Sequence, residues 1–167
     1  MNGSYIHLVH LIAFGLVMAT LIPSFVLDRK LRAEPDWGKK LQIGGLMRVF
    51  GMFAPVNIML LLLSGIGNIY NRFLGSPDPW YDEHWLLTKL GLFVIIIFNA
   101  ILVAPRLGMK RAMVIKALAE KKDDGGGNEA YAALNKKITI LFAVQSLLLL
   151  GILWLSVFGP GKHPGVF

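Results

Sequence analysis

The chain has 167 residues, of which 55% are hydrophobic and only 16% are charged, with 17 Lys and Arg against 10 Asp and Glu. Soluble domains carry about 25% charged residues, so this composition excludes an ordinary water-soluble globule and a disordered chain, and it indicates one integral membrane domain. The absence of cysteine excludes disulfides, thiolate zinc sites and iron–sulfur clusters.

Four apolar stretches are long enough to cross a bilayer, namely residues 5–27, 50–70, 85–105 and 138–158. A spanning helix needs about 20 apolar residues, and in hydrocarbon the backbone amides need partners within their own helix. The first stretch lacks a basic leader and a cleavage motif, so we expect it to be retained rather than removed as a signal peptide. The sequence therefore predicts an all-α fold, a single domain (1–167) that forms a four-transmembrane-helix antiparallel bundle.

The basic residues are divided unevenly between the two sides of this bundle. Six lie in or beside the connection 28–49 and eight in the connection 106–137, whereas the other side carries only Arg72 and Lys162. Lys and Arg are enriched in cytoplasmic loops, so we expect both termini on the outer side of the inner (cytoplasmic) membrane. This asymmetry explains the net charge of +7, and we expect the lipid bilayer, but no nucleic acid, as a partner.

The inner connection 106–137 and the outer connection 71–84 have distinct compositions. The inner connection is predicted to begin with a helix that continues the third span to about Lys121, before a flexible break, DDGGGN, at 123–128. The outer connection, GSPDPWYDEHW, combines rigid prolines with aromatic rings that are typical of a membrane interface.

Ionisable side chains inside spans are costly and are therefore the candidates for function. His7 and His10 lie one turn apart on one face of the first span, within roughly 10 Å of the outer surface. They suit a metal or one axial position of haem iron, or His7 is interfacial and His10 donates to a neighbouring helix. His84 and Lys89 begin the third span, and His163 belongs to the same side. Lys89 either reaches the outer interface along the lipid surface or faces the bundle, where it pairs with a ligand carboxylate.

Other polar residues in the spans are predicted to be structural. Asn99, Gln145 and Ser146 are expected to form hydrogen bonds across the core, and Arg48 to mark the cytoplasmic end of the second span. No span contains Asp or Glu, which argues against a carboxylate proton relay. Two stacked haems need four buried histidines and are excluded, so the alternatives are one b-type haem or no cofactor.

Three segments resemble the HemJ-type protoporphyrinogen oxidase family and the related CopD-like and DUF2269 membrane proteins. They are HLIAFGLVMATLIPSFVLDRKLR from His10, GGLMRVFGMFAPVNIMLLLLSGI around Arg48 and Pro55, and HWLLTKLGLFVII with Lys89. HemJ-type proteins carry a further histidine near the position of Asn99, and an Asn-Glu-x-Pro element where this chain has Asn135 followed by two lysines. The resemblance implies a four-helix fold and a haem- or porphyrin-related site that uses His10 and Lys89.

Two main hypotheses about function follow. The first is a redox or haem/porphyrin-related membrane protein whose single site near the outer leaflet is built from His10, His7, His84 and Lys89. The second is a non-catalytic accessory subunit of a larger membrane complex, such as a respiratory one, with other membrane subunits as partners. A third, copper handling by His7, His10 and the methionines, rests on the CopD-like resemblance alone.

Overall fold

The computed structural model describes residues 3–73, 80–120 and 125–159, and its regular structure within these ranges is entirely helical. The helices are α1 (Gly3–Ala33), α2 (Trp37–Phe73), α3 (His84–Phe98), α4 (Ala104–Ala119) and α5 (Gly127–Phe158). A turn of 3-10 helix, Trp80–Asp82, precedes α3, and a π-helical segment, Asn99–Val103, joins α3 to α4. Outside the described residues lie His163, Lys162, Lys121, the prolines of the outer connection and the first two residues of DDGGGN.

Within the described residues, four helical units are long and apolar enough to cross a membrane, namely Tyr5–Ala33, Trp37–Phe73, His84–Ala119 and Gly127–Phe158. Their outward faces carry large apolar side chains, and Met52, Val56 and Leu147 are each more than 65% exposed. Such an apolar exterior is unfavourable in water and matches the interior of a bilayer. The predicted all-α class with four membrane-spanning helices is therefore confirmed.

The helices extend well beyond the predicted spans. Residues 28–49 were expected to form a long connection, but only residues 34–36 separate α1 from α2. Pro35 disfavours helical geometry in the residue before it, which ends α1. The Asp36 carboxylate then accepts the Lys39 backbone N–H at 2.7 Å and so caps the start of α2. The expected helical continuation of the third span is found as α4.

Helices α1 and α2 pack along their whole length, because small or polar residues of α2 meet side chains of α1. The paired positions are Ile6 with Gly67, His10 with Ser64, Leu16 with Asn57, and Leu31 with Gly44. Residues early in α1 thus lie beside residues late in α2. A Cβ atom at Gly67 would approach the Ile6 Cγ2 to 3.0 Å, so a larger residue there would force the Ile6 side chain to shift.

Three apolar clusters hold the bundle together. The first joins α1, α2 and α3 around Ala13, Val17, Ile58 and Leu61. The second joins α3 and α5 to α1 around Ile96, Leu149 and Ile152. The third, nearer the connection between α1 and α2, joins α1, α2, α4 and α5 around Leu31, Ile43, Ile115 and Tyr131. All four spans therefore share buried apolar surface with one another.

A buried charged cluster, Asp28 with Arg32 and Arg111, links three of the helices beyond the ends of the spans. Asp28 is 2% exposed and Arg111 is 5% exposed. The two carboxylate oxygens of Asp28 accept hydrogen bonds from different arginines, one oxygen from Arg32 on its own helix and the other from Arg111 on α4. The Arg111 guanidinium also donates to the Asn135 amide oxygen of α5 at 3.3 Å. The cluster therefore ties α1, α4 and α5 together.

Lys40 is buried beside this cluster against aromatic rings. Its ammonium lies 4.0 Å from the centre of the Trp37 ring and 4.4 Å from the centre of the Tyr131 ring. The Tyr131 hydroxyl donates to the Leu31 carbonyl at 3.4 Å. The faces of aromatic rings attract cations, so these contacts position the start of α5 against α1 and α2.

Replacing Asp28 by Asn should destabilise the protein strongly. The change keeps the shape of the side chain but leaves the desolvated Arg111 guanidinium without a counter-charge, which costs about 3–5 kcal/mol when one partner of a buried pair is removed. We expect a corresponding fall in the free energy of unfolding, measured in detergent or bicelles. The control is Glu129→Gln, since Glu129 is exposed in the first turn of α5. Equal effects of both substitutions would contradict a structural role for the charged cluster.

Candidate functional site

The imidazole of His10 is half-buried between α1 and α2. Its Nδ1 atom lies 3.0 Å from the Ser64 hydroxyl oxygen. The neighbouring residue of α2 is Gly65, where a Cβ atom would come within 3.3 Å of His10 Cε1. The ring therefore fits against α2 because residues 64 and 65 are both small.

The hydrogen bonds of Ser64 assign the tautomer of His10. The Ser64 hydroxyl is within donating distance of two backbone carbonyls of its own helix, Leu60 at 2.8 Å and Leu61 at 3.1 Å. Since a hydroxyl has one proton, we assign that proton to the helix carbonyls and the proton of the His10 contact to Nδ1. In the neutral imidazole the lone pair is then on Nε2. A histidine oriented in this way through one nitrogen is prepared to bind a ligand through the other.

Lys89 lies within electrostatic range of this imidazole. It lies in the second turn of α3, half-buried, and its ammonium acts electrostatically on His10. An ammonium within a span is costly without an anionic partner. The pair His10 and Lys89 thus combines a free imidazole nitrogen with a cation that is available to a carboxylate.

The other two predicted site residues lie at the exterior. His7 is exposed, one turn from His10 on α1, and acts on it electrostatically. His84 is exposed at the first position of α3. Within residues 3–73, 80–120 and 125–159, no three His, Asp or Glu side chains come together as a group that could hold a metal ion.

An apolar cavity of about 270 Å³ lies next to the site, in a groove between α1 and α2. It is lined by Tyr5, Ile6, Val9, Leu60, Leu63, Ser64 and Gly67. Because Tyr5 and Leu63 are 65% and 60% exposed, the groove faces the lipid. Ser64 forms part of its wall, whereas His10 and Lys89 do not.

The positions of the four predicted site residues limit which groups of a haem they could bind. The side chains suit one iron ligand, from His10, and one carboxylate, held by Lys89. His7 and His84 are exposed, so neither places a second imidazole inside the bundle. By donor chemistry alone, His10 suits a haem iron and Lys89 suits a carboxylate of a haem or of a metal-free porphyrin.

Deeper polar side chains bond across the bundle. The Gln145 amide of α5 donates to the Ile96 carbonyl of α3 at 3.4 Å, which confirms the interhelical bond expected for this residue. The Asn57 amide of α2 donates to the Leu16 carbonyl of α1 at 3.1 Å. Ser146 is exposed and Asn99 begins the π-helical segment.

Two features of the site region were not identified from the sequence. The role of Ser64 beside His10 depends on the register between α1 and α2. The pairing of Asp28 with Arg111 joins residues 83 positions apart. The one available signal was Asp28 itself, an acidic residue directly after an apolar span with Arg32 four positions later.

Comparisons with known proteins do not identify a family. No protein-family model, curated protein or solved structure matches this chain. The resemblance to HemJ-type, CopD-like and DUF2269 proteins therefore stays a prediction from the sequence segments that carry it.

Replacing Ser64 by Ala should release the His10 ring. The Nδ1 proton loses its acceptor, which costs about 1 kcal/mol in the free energy of unfolding, and both tautomers become accessible. We expect the ¹⁵N shifts of His10 in histidine-labelled protein to move from the Nδ1–H form towards an average. Ser156→Ala is the matched control, because Ser156 forms the same type of bond to a carbonyl of its own helix, at 2.7 Å to Ile152. Unchanged His10 shifts in S64A would contradict the assignment.

Proposed function

We propose that this protein binds a haem or another porphyrin at one site in the outer-leaflet half of an inner-membrane bundle, in a redox or porphyrin-related role. The observation that carries the proposal is the His10–Ser64 hydrogen bond next to the half-buried Lys89. The family resemblance of the same residues supports it independently of the geometry.

The proposed topology is an antiparallel bundle with both termini outside. The contacts of early α1 with late α2 support opposite directions for these helices. The basic residues of the two inner connections support a cytoplasmic location for the charged cluster. His10, six residues inside the first span, then lies roughly 10 Å from the outer surface.

Each residue has a separate role in the proposed site. His10 would hold the haem iron through Nε2, Ser64 would hold the ring through Nδ1, and Lys89 would bind a carboxylate of the porphyrin through a charge-assisted hydrogen bond. Such a bond is stronger where water is excluded. When bound, a haem supplies one-electron redox chemistry.

The proposal predicts a coloured protein. Purified wild type, or protein incubated with haemin, should show a Soret band that is lost in His10→Ala and retained in His7→Ala, because the His10 ring is held by a second helix.

Lys89→Met should weaken binding of a porphyrin dicarboxylate about tenfold, as expected for loss of roughly 1.4 kcal/mol, and should leave binding of the diester unchanged. A Soret band absent from wild type, or identical in H10A, would refute the proposal.

A second candidate function, an accessory subunit, is favoured by the lipid-facing groove between α1 and α2. The groove is apolar, and Val9 in its lining is 42% exposed, so a further transmembrane helix that packed there would cover apolar surface. Tyr5 and Leu63 would flank that helix. The occupant would be a single transmembrane helix of another subunit.

This alternative predicts a stoichiometric partner in mild detergent. Leu63→Trp should fill the groove and abolish copurification of that partner, as measured by mass spectrometry of the purified complex. The control is Leu147→Trp on α5, which is 68% exposed and distant from the groove along the chain. Isolation of the wild-type chain alone would contradict the accessory role.

A further inference from the structure

The junction between α3 and α4 leaves a backbone carbonyl without its usual donor. In the π-helical segment Asn99–Val103 the Ala104 N–H donates to the Asn99 carbonyl, five residues back, rather than to Ala100. The N–H five residues after Ala100 would be that of Pro105, and proline has none. The Ala100 carbonyl therefore receives neither an α-helical nor a π-helical hydrogen bond.

A second acceptor without a donor comes from the neighbouring helix. The Gln145 side chain uses its Nε2 for the Ile96 carbonyl, one turn before Ala100. Its Oε1 atom is buried and has no hydrogen-bond partner in the described parts of the chain. Buried acceptors of this kind are rare in proteins, because the cost of removing them from water is not offset.

The two acceptors lie at a similar depth. Gln145 is seven residues inside the start of the predicted span 138–158, and Ala100 is five residues inside the end of the predicted span 85–105. At 1.5 Å per residue both are roughly 10 Å from the same surface. The bond between Gln145 and Ile96 joins α5 to α3 at this level.

We propose that water binds at this bulge site, defined by the Ala100 carbonyl and Gln145 Oε1, and donates hydrogen bonds to both oxygens. Water can donate two hydrogen bonds and commonly occupies buried positions where polar groups lack partners. Membrane helices that are interrupted by proline often satisfy the released carbonyls in this way. The inference concerns a different part of the bundle from the proposed porphyrin site and does not depend on it.

The chemistry of the bulge site selects water over a metal cation. Neutral oxygens are the acceptors, and the two spans that form the site contain no Asp or Glu. Hard cations need six or more oxygen ligands and usually carboxylates, and an uncompensated charge in this apolar surrounding is strongly unfavourable. Water is a small, neutral hydrogen-bond donor, so it can satisfy these oxygens without adding a charge to the bundle.

Glutamine labelling tests the proposal directly, because the chain has only two glutamines, Gln42 and Gln145. In full-length protein in liposomes, labelled with ¹³C and ¹⁵N at glutamine, polarisation transferred from water protons should reach both side chains. Gln42 is exposed on α2 outside the predicted span and serves as the positive control. Transfer to Gln42 without transfer to Gln145 would overturn the proposal.

A pair of proline variants tests the role of the bulge. Pro105→Ala restores an N–H that can reach the Ala100 carbonyl, so we expect loss of the water signal at Gln145. Pro55→Ala makes the same chemical change within α2 and should leave the Gln145 signal unchanged. Persistence of the signal in P105A, or its equal loss in P55A, would overturn the proposal.

Discussion

Hydrocarbon offers no hydrogen-bond partner, and this constraint organises the whole molecule. It makes the four spans helical, and it directs the polar side chains within them to backbone carbonyls. Ser64 donates within its own helix, whereas Asn57 and Gln145 donate to carbonyls of neighbouring helices. These interhelical bonds fix the relative positions of helices whose apolar surfaces alone would pack in several registers.

The same constraint separates the two kinds of polar site. The charged cluster of Asp28, Arg32 and Arg111 lies beyond the apolar spans, where three helices supply mutual partners and so offset the cost of burial. Inside the spans, neither His10 nor Lys89 forms an ion pair with a carboxylate of the described residues. Ser64 holds His10 through Nδ1, which leaves the lone pair of the assigned tautomer on Nε2. This surplus of binding capacity makes the His10 region the candidate site.

The sequence was sufficient for the spans because an apolar run of about 20 residues has few alternatives to a membrane helix. It was not sufficient to predict how short the connection between α1 and α2 is. Polar helix-forming residues continue α1 past the membrane surface until Pro35 ends it. Side-chain partners such as Ser64 for His10 and Arg111 for Asp28 depend on helix register, and one sequence does not contain that information. The π-helical segment has a local signal in the sequence, Pro105. The side chain of α5 that lies at its level, Gln145, again depends on helix register.

The position of the apolar cluster around Ala13, Val17, Ile58 and Leu61 limits what the proposed porphyrin site can do. This cluster lies between the level of His10 and that of the bulge site, and the side chains buried in it can neither donate nor accept protons. Asn57, at the same level, is already bonded to Leu16. Electrons can cross such an apolar layer, whereas protons need a chain of polar groups. Under the proposed function, this layer would therefore separate the porphyrin site on the outer side from the bulge site, which would exchange water with the opposite side.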